Sequence, residues 1–137
     1  MKILHVETGR HLYGGPQQVI YLTKALLARG INNILVCLPG SGIDNAARDA
    51  GVTVRNLKCV SDYDLAFAFR LRQLVLSEKP DIIHCHSRRG GDFLGGLAAT
   101  GASIPAVISR RVDNTESPWI AKLRYKPFCK IIGVFNW

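Results

Sequence analysis

Acidic residues are scarce in this chain of 137 residues: ten Asp and Glu stand against eighteen Lys and Arg, a formal net charge of +8. The shortage argues against sites built from clustered carboxylates, and the surplus favours anionic partners: phosphorylated ligands, nucleic acid or an acidic membrane face. Cysteines number only four. Cys37, Cys59, Cys85 and Cys129 are widely spaced and form no C-x-x-C pair, which excludes a small secreted scaffold stapled by disulfides. They read as mostly buried thiols. No apolar run approaches the ~20 residues that a membrane-spanning helix needs. The opening apolar stretch reaches Glu7 too soon for a signal peptide, so the expected location is cytoplasmic. Internal repeats, low-complexity segments and linkers are also missing. Residues 1–137 therefore read as a single domain, long enough to bury a real core.

What is present is an alternation of short apolar runs with amphipathic stretches. Strands are expected at residues 2–7, 33–38, 52–57, 81–85, 106–109 and 130–135. Helices are expected at 16–29, 44–50, from Asp62 or Asp64 to 78, at 92–100, and in part of 119–127. In the first helix Val19, Ile20, Leu22, Leu26 and Leu27 form the apolar stripe, with Pro16 in the first turn and Gly30 as the stop. In the third, Leu65, Phe69, Leu71, Leu74 and Val75 are expected to face inward. The fourth is rich in Gly and Ala and suited to close packing. Nearly all the strands are apolar throughout, which indicates a parallel sheet covered on both faces. The expected fold is α/β: a doubly wound, Rossmann-like parallel sheet of about six strands with helices on both faces.

In such a sheet the loops that follow the strands share one edge, and that edge is where ligands bind. The segment Asp81-Ile82-Ile83-His84-Cys85-His86-Ser87-Arg88-Arg89-Gly90-Gly91 is the most telling. A buried strand breaks within three residues into a polar, cationic rim. His84 and His86 lie two apart and so point to one face, with His84 expected near the core and His86 at the rim. His86 is the candidate for proton transfer, set against a plain structural histidine. A metal is not expected, because Cys85 faces the other way and no third ligand lies nearby in sequence. After the first strand, Gly14 and Gly15 either allow a turn of positive φ or let a phosphate or carboxylate approach the start of the following helix. No G-x-G-x-x-G pattern occurs there. Arg88 and Arg89 follow the fourth strand and Arg110 and Arg111 the fifth. Two such pairs on one edge favour an anion between them, unless Asp113 and Glu116 neutralise them locally. Residues 119–128 mix three aromatics with three cations. They suit either an acidic bilayer surface or a helix that covers the sheet with snorkelling cations.

The ordered set MKILHVETG, GGPQQVIYLTKALLARG, KPDIIHCHSRRGG, AVISRR and KPFCKIIGV resembles the N-terminal domain of GT-B-fold glycosyltransferases, in particular the retaining family 4. The resemblance covers essentially the whole chain. It implies two facing Rossmann-like domains, with the acceptor on the N-terminal one and the nucleotide-sugar donor mainly on a C-terminal one absent from this sequence. It implies that Gly14 and Gly15 lie near the donor phosphates and His86 beside the transferring sugar. No cofactor is implied, since basic groups stabilise the leaving diphosphate. Pro16-Gln17-Gln18 replaces the family's commoner Ala-Glu-Arg, and Ser109-Arg110 its Thr-His. Arg88, Arg89, Arg110 and Arg111 are assigned to an anionic acceptor, and the double arginine after the fifth strand looks like the lipopolysaccharide and surface-glycan branch. The expectation is thus the acceptor-side domain of an enzyme of cell-envelope glycan assembly, inactive alone, at the inner face of the membrane. The rivals are a non-catalytic α/β anion-binding module and a basic nucleic-acid-binding domain. The second ranks last because base-stacking aromatics do not interleave with the arginines.

Overall fold

A computed structural model describes residues 1–61, 63–86, 91–110 and 117–133. The strands are β1 (Lys2–Glu7), β2 (Asn32–Cys37), β3 (Thr53–Asn56), β4 (Ile82–Cys85), β5 (Ala106–Arg110) and β6 (Lys130–Gly133). Between them lie α1 (Gly14–Ala28), α2 (Gly42–Asp49), α3 (Leu65–Glu78), α4 (Gly91–Ala102) and α5 (Pro118–Tyr125). All the strand pairs are parallel, in the order β3-β2-β1-β4-β5-β6. The expected doubly wound architecture is therefore what forms. The direction of winding reverses between β1 and β4, and the crevice outside their carboxyl ends is the topological switch point of the sheet.

Local chemistry sets the helix ends. Gly30 takes a φ of 77° after α1, and the N–H groups of Gly30 and Ile31 bond to the carbonyls of Leu27 and Leu26, a Schellman stop. Ser41 caps α2 by accepting from the Asp44 N–H, and Asp64 caps α3 by accepting from the Phe67 N–H. Of the two expected openings of α3, Asp64 is the one used.

The two sheet faces differ in character. On one, Leu4, Val6, Val36, Ile83, Cys85, Ala106 and Ile108 pack against Phe67, Leu71 and Val75 of α3 and Leu94, Ala98 and Ala99 of α4. On the other, the apolar cluster is confined to the β2–β3 side, where Leu35, Cys37 and Val54 meet Val19 and Ile20 of α1 and Ile43 and Ala47 of α2. A Cβ on Gly95 of α4 would overlap Cys85 Sγ, so helix and strand approach as closely there as the Gly-rich sequence allows.

Several side chains depart from the expected stripes. Leu65 and Phe69 are exposed, and Phe67 and Ala68 take the inward positions with Leu71 and Val75. Once Asp64 caps α3, the inward face is fixed at 67, 68, 71 and 75, and 65 and 69 fall on the far side. On α1, Leu27 is exposed and Thr23 is buried in its place. The Thr23 hydroxyl donates back to the Val19 and Ile20 carbonyls, which satisfies it inside the core. Of the four cysteines only Cys37 and Cys85 are buried; Cys59 is half-buried and Cys129 exposed. Burial pushes the Cys37 thiol up to about 11, with the Asp44 carboxylate adding to the effect, and pushes Cys85 higher still. Both are inert thiols at neutral pH. No described helix is long and apolar enough to cross a membrane.

Candidate functional site

Parallel pairing puts residues of equal parity on one face, and this rule assembles the site. His5 on β1 lies opposite His84 on β4. Asn33 on β2 pairs with Ile3, two residues before His5, and Ser109 on β5 lies two beyond Val107, the partner of His84. Asn33, His5, His84 and Ser109 therefore share the face that is apolar only under α1 and α2. They run as a polar row across four adjacent strands, and His86 stands just beyond β4.

The row is connected. His5 Nε2 lies 2.9 Å from Asn33 Oδ1, and His5 Nδ1 lies 2.9 Å from His86 Nε2. His84 Nε2 is 2.7 Å from Ser109 Oγ. The His84 and His86 rings stand with centroids 3.8 Å apart, and the His5 ring is 5.1 Å from His86. His5 is fully buried, and burial, partly offset by the bond to Asn33, lowers its pKa from 6.5 to about 4. It is neutral at physiological pH.

His86 was expected at an open rim with His84 beneath it. The structure reverses the burial: His86 is buried and His84 only half-buried. The cause is His5, toward whose Nδ1 the His86 ring is turned. Sequence reasoning missed His5 because it sits inside an apolar opening strand and reads as core. It also looked for a third ligating group near His84 and His86 in the chain, whereas the fold supplies one from β1. One nitrogen from each of His5, His84 and His86 lies within 4.8 Å of the others, a grouping that could hold a metal ion. His5 and His86 share a proton at hydrogen-bonding distance. An ion at that place would have to displace it, because a ligating imidazole presents a lone pair.

Across the switch point, Gly14 and Gly15 open α1. Neither adopts a positive φ, and apart from chain neighbours and the helix's own nearby backbone no heavy atom lies within 4 Å of where a Cβ would stand on either. The turn explanation therefore fails, and space above the helix start remains as the feature these glycines provide. Tyr13 occupies the N-cap position with no side-chain cap, and the next residue after the glycines, Pro16, has no N–H. The positive end of the α1 dipole thus faces the same edge as His86. The backbone of Arg110 ends β5 on that edge as well. Arg88, Arg89 and Arg111 lie outside the described residues, as do Asp113 and Glu116. At the other edge, Glu78 at the end of α3 holds Lys2 and Arg55, each at 3.1 Å, and the two cations keep its carboxyl below the usual range. The Glu78 pairs brace the edge away from the site, and imidazoles, glycines and the start of α1 line the site's edge.

Comparison with known proteins fits this layout. Residues 14–129 match the model of the glycosyl transferase 4-like domain. No curated protein sequence matches the chain. Among solved structures, MurG of Acinetobacter baumannii superposes with a TM-score of 0.76 at 15% identity, over 98% of this chain and 41% of its own. A glycosyltransferase of Rickettsia africae gives 0.76 at 18% identity, over 97% of this chain and 36% of its own. S. aureus MnaA, solved with UDP, gives 0.74 at 18% identity, over 96% and 38%. The chain thus spans about two fifths of the length of these structures, and at such identity the likeness is one of fold. With the family model covering most of the sequence, the resemblance is borne out: this chain belongs to the glycosyl transferase 4-like family and has the fold of a GT-B N-terminal domain.

Proposed function

We propose that the chain is the acceptor-side domain of a nucleotide-sugar-dependent glycosyltransferase that acts on a cell-surface glycan or a lipid-linked acceptor. The observation that carries this reading is the switch-point crevice, with the glycine-headed start of α1 on one side and His86 on the other. A diphosphate suits the first, because helix N–H groups and the dipole favour negative charge and the glycines leave room for close approach. An imidazole suits the second, next to a sugar whose hydroxyls exchange protons as the bond changes hands. MnaA holds UDP in its structure, which supports a nucleotide diphosphate as a ligand of this fold's crevice here. Gly14 and Gly15 then approach the donor phosphates, His86 belongs to the reaction centre, and Arg88, Arg89, Arg110 and Arg111 bind an anionic acceptor. Transfer retains anomeric configuration, and basic groups stabilise the departing diphosphate. The grip on the nucleotide comes from a second domain, so this chain alone does not transfer sugar. Contact with an acidic membrane is part of the same reading: α5 exposes Trp119, Ile120 and Leu123 beside Lys122 and Lys126.

Two measurements test the proposal. Calorimetry of the isolated chain should show weak or no binding of nucleotide sugars and measurable binding of phosphorylated glycolipid fragments. Tight nucleotide-sugar binding by the isolated chain contradicts the division of labour. In a polypeptide that joins this chain to a donor domain, His86→Ala should lower kcat by roughly 10²–10⁴-fold, the range of a positioned proton-transfer group. Unchanged turnover removes His86 from the reaction centre.

A further inference from the structure

We propose that Asn33 and His5 form a buried relay that fixes the tautomer of His86, so that His86 meets bound molecules through Nδ1 alone. This rests on the reading of His86 as a group at the reaction centre and adds how that group is held. Asn33 and His5 are positioning residues.

The argument starts at the far end of the row. Asn33 Nδ2 lies 3.0 Å from the Ile31 carbonyl oxygen and 3.4 Å from that of Thr23. Carbonyl oxygens only accept, so the amide of Asn33 must turn its NH₂ to them and its Oδ1 to the opposite side. Oδ1 also only accepts, and it sits 2.9 Å from His5 Nε2. The proton of His5 is therefore on Nε2. Fully buried and well below its ordinary basicity, His5 carries one proton and no more at neutral pH. Its Nδ1 is then a bare acceptor, 2.9 Å from His86 Nε2. That contact is a hydrogen bond only if His86 Nε2 carries a proton and donates it.

Each link leaves the next one choice. The orientation of an amide in the core, set by two main-chain carbonyls, is passed through two imidazoles to the end of β4. Nδ1 is the ring nitrogen of His86 that remains for all its other partners. The surroundings agree with a held ring. The His84 ring lies tilted against it with centroids 3.8 Å apart and is itself tied to Ser109, and Glu7 is buried at the end of β1 on the same edge. The arrangement parallels the role of the second partner in catalytic imidazole pairs: one nitrogen is anchored so that the other has a defined state and direction.

The test is nitrogen NMR of the chain labelled with ¹⁵N-histidine, reading two-bond ¹H–¹⁵N couplings at neutral pH. His5 should show protonated Nε2 and bare Nδ1, and His86 should show protonated Nε2, each as one species. Asn33→Leu, close in size but without the acceptor, should turn His5 into a mixture of tautomers and take the single Nε2–H state of His86 with it. A proton on His5 Nδ1 in the unmodified chain overturns the relay, even if the variant fails to fold. Unchanged ring spectra in a folded Asn33→Leu variant overturn it equally. The outcome is independent of turnover. A relay seen by NMR with full transfer activity in His86→Ala would sink the functional reading and leave the relay standing.

Discussion

At the residue scale, His5 has a consequence for stability. Its pKa falls from 6.5 to about 4 on folding, so above pH 6.5 it is neutral in both states and its placement costs nothing extra. As pH falls from 6.5 toward 4 the unfolded chain takes up a proton that the folded one refuses. Stability should drop across that window by on the order of 3 kcal/mol, and His5 should add no further slope below it. Urea melts at pH 7, 6 and 5 check this. The interval above pH 5 separates imidazoles from Asp44, Asp64 and Glu78, whose carboxyls are held below their ordinary values and titrate lower, and a His5 variant then tells His5 from the other histidines. His5→Gln should flatten the profile between pH 6.5 and 5. A wild-type profile flat over that interval would show His5 to be solvated. His86 and the glycine pair were legible in the sequence because they sit where an apolar run breaks. His5 and Asn33 were not, since each lies within a buried strand and only the register of β1 against β2 and β4 brings them together.

At the scale of elements, alternation of apolar runs was enough to place every strand and helix within a few residues. Which face each helix buries was less visible. The sequence of α3, Leu-Ala-Phe-Ala-Phe-Arg-Leu, is apolar almost all round, so periodicity could not choose between 65/69 and 67/71; the Asp64 cap and the neighbouring sheet chose. The contact of α4 with β4 offers a sharp test. Gly95→Ala should destabilise the fold by about 1–3 kcal/mol, since its methyl meets Cys85 Sγ. Removing the sulfur with Cys85→Ala should recover much of that loss, and a double-mutant cycle in urea measures the coupling. Additive effects would mean that helix and strand separate freely. At α1 the helix start is itself a lever. Tyr13→Asp places a negative charge at the positive end of the helix and should stabilise it by about 0.3–1 kcal/mol. The same carboxylate would repel a phosphate at that helix start, so in a polypeptide carrying the donor domain the KM for nucleotide sugar should rise. A KM that stays put would move the diphosphate away from Gly14 and Gly15.

For the molecule as a whole, the excess of cations predicts adhesion to anionic surfaces. The chain should pellet with vesicles containing phosphatidylglycerol and come off as salt is raised, because screening weakens exposed charges. Trp119→Ser with Leu123→Ser should reduce pelleting at low salt, and equal pelleting would assign the contact to charge elsewhere.

The polar row across the sheet has a last consequence. Asn33, His5, His84 and Ser109 occupy ground in the middle of a parallel sheet that valine and leucine fill more comfortably. Replacing all four with aliphatic residues of similar bulk should give a domain that melts higher, by about 5 °C or more, yet leaves His86 without its His5 partner. A rising melting point would mark these four positions as cohesion surrendered to reactivity.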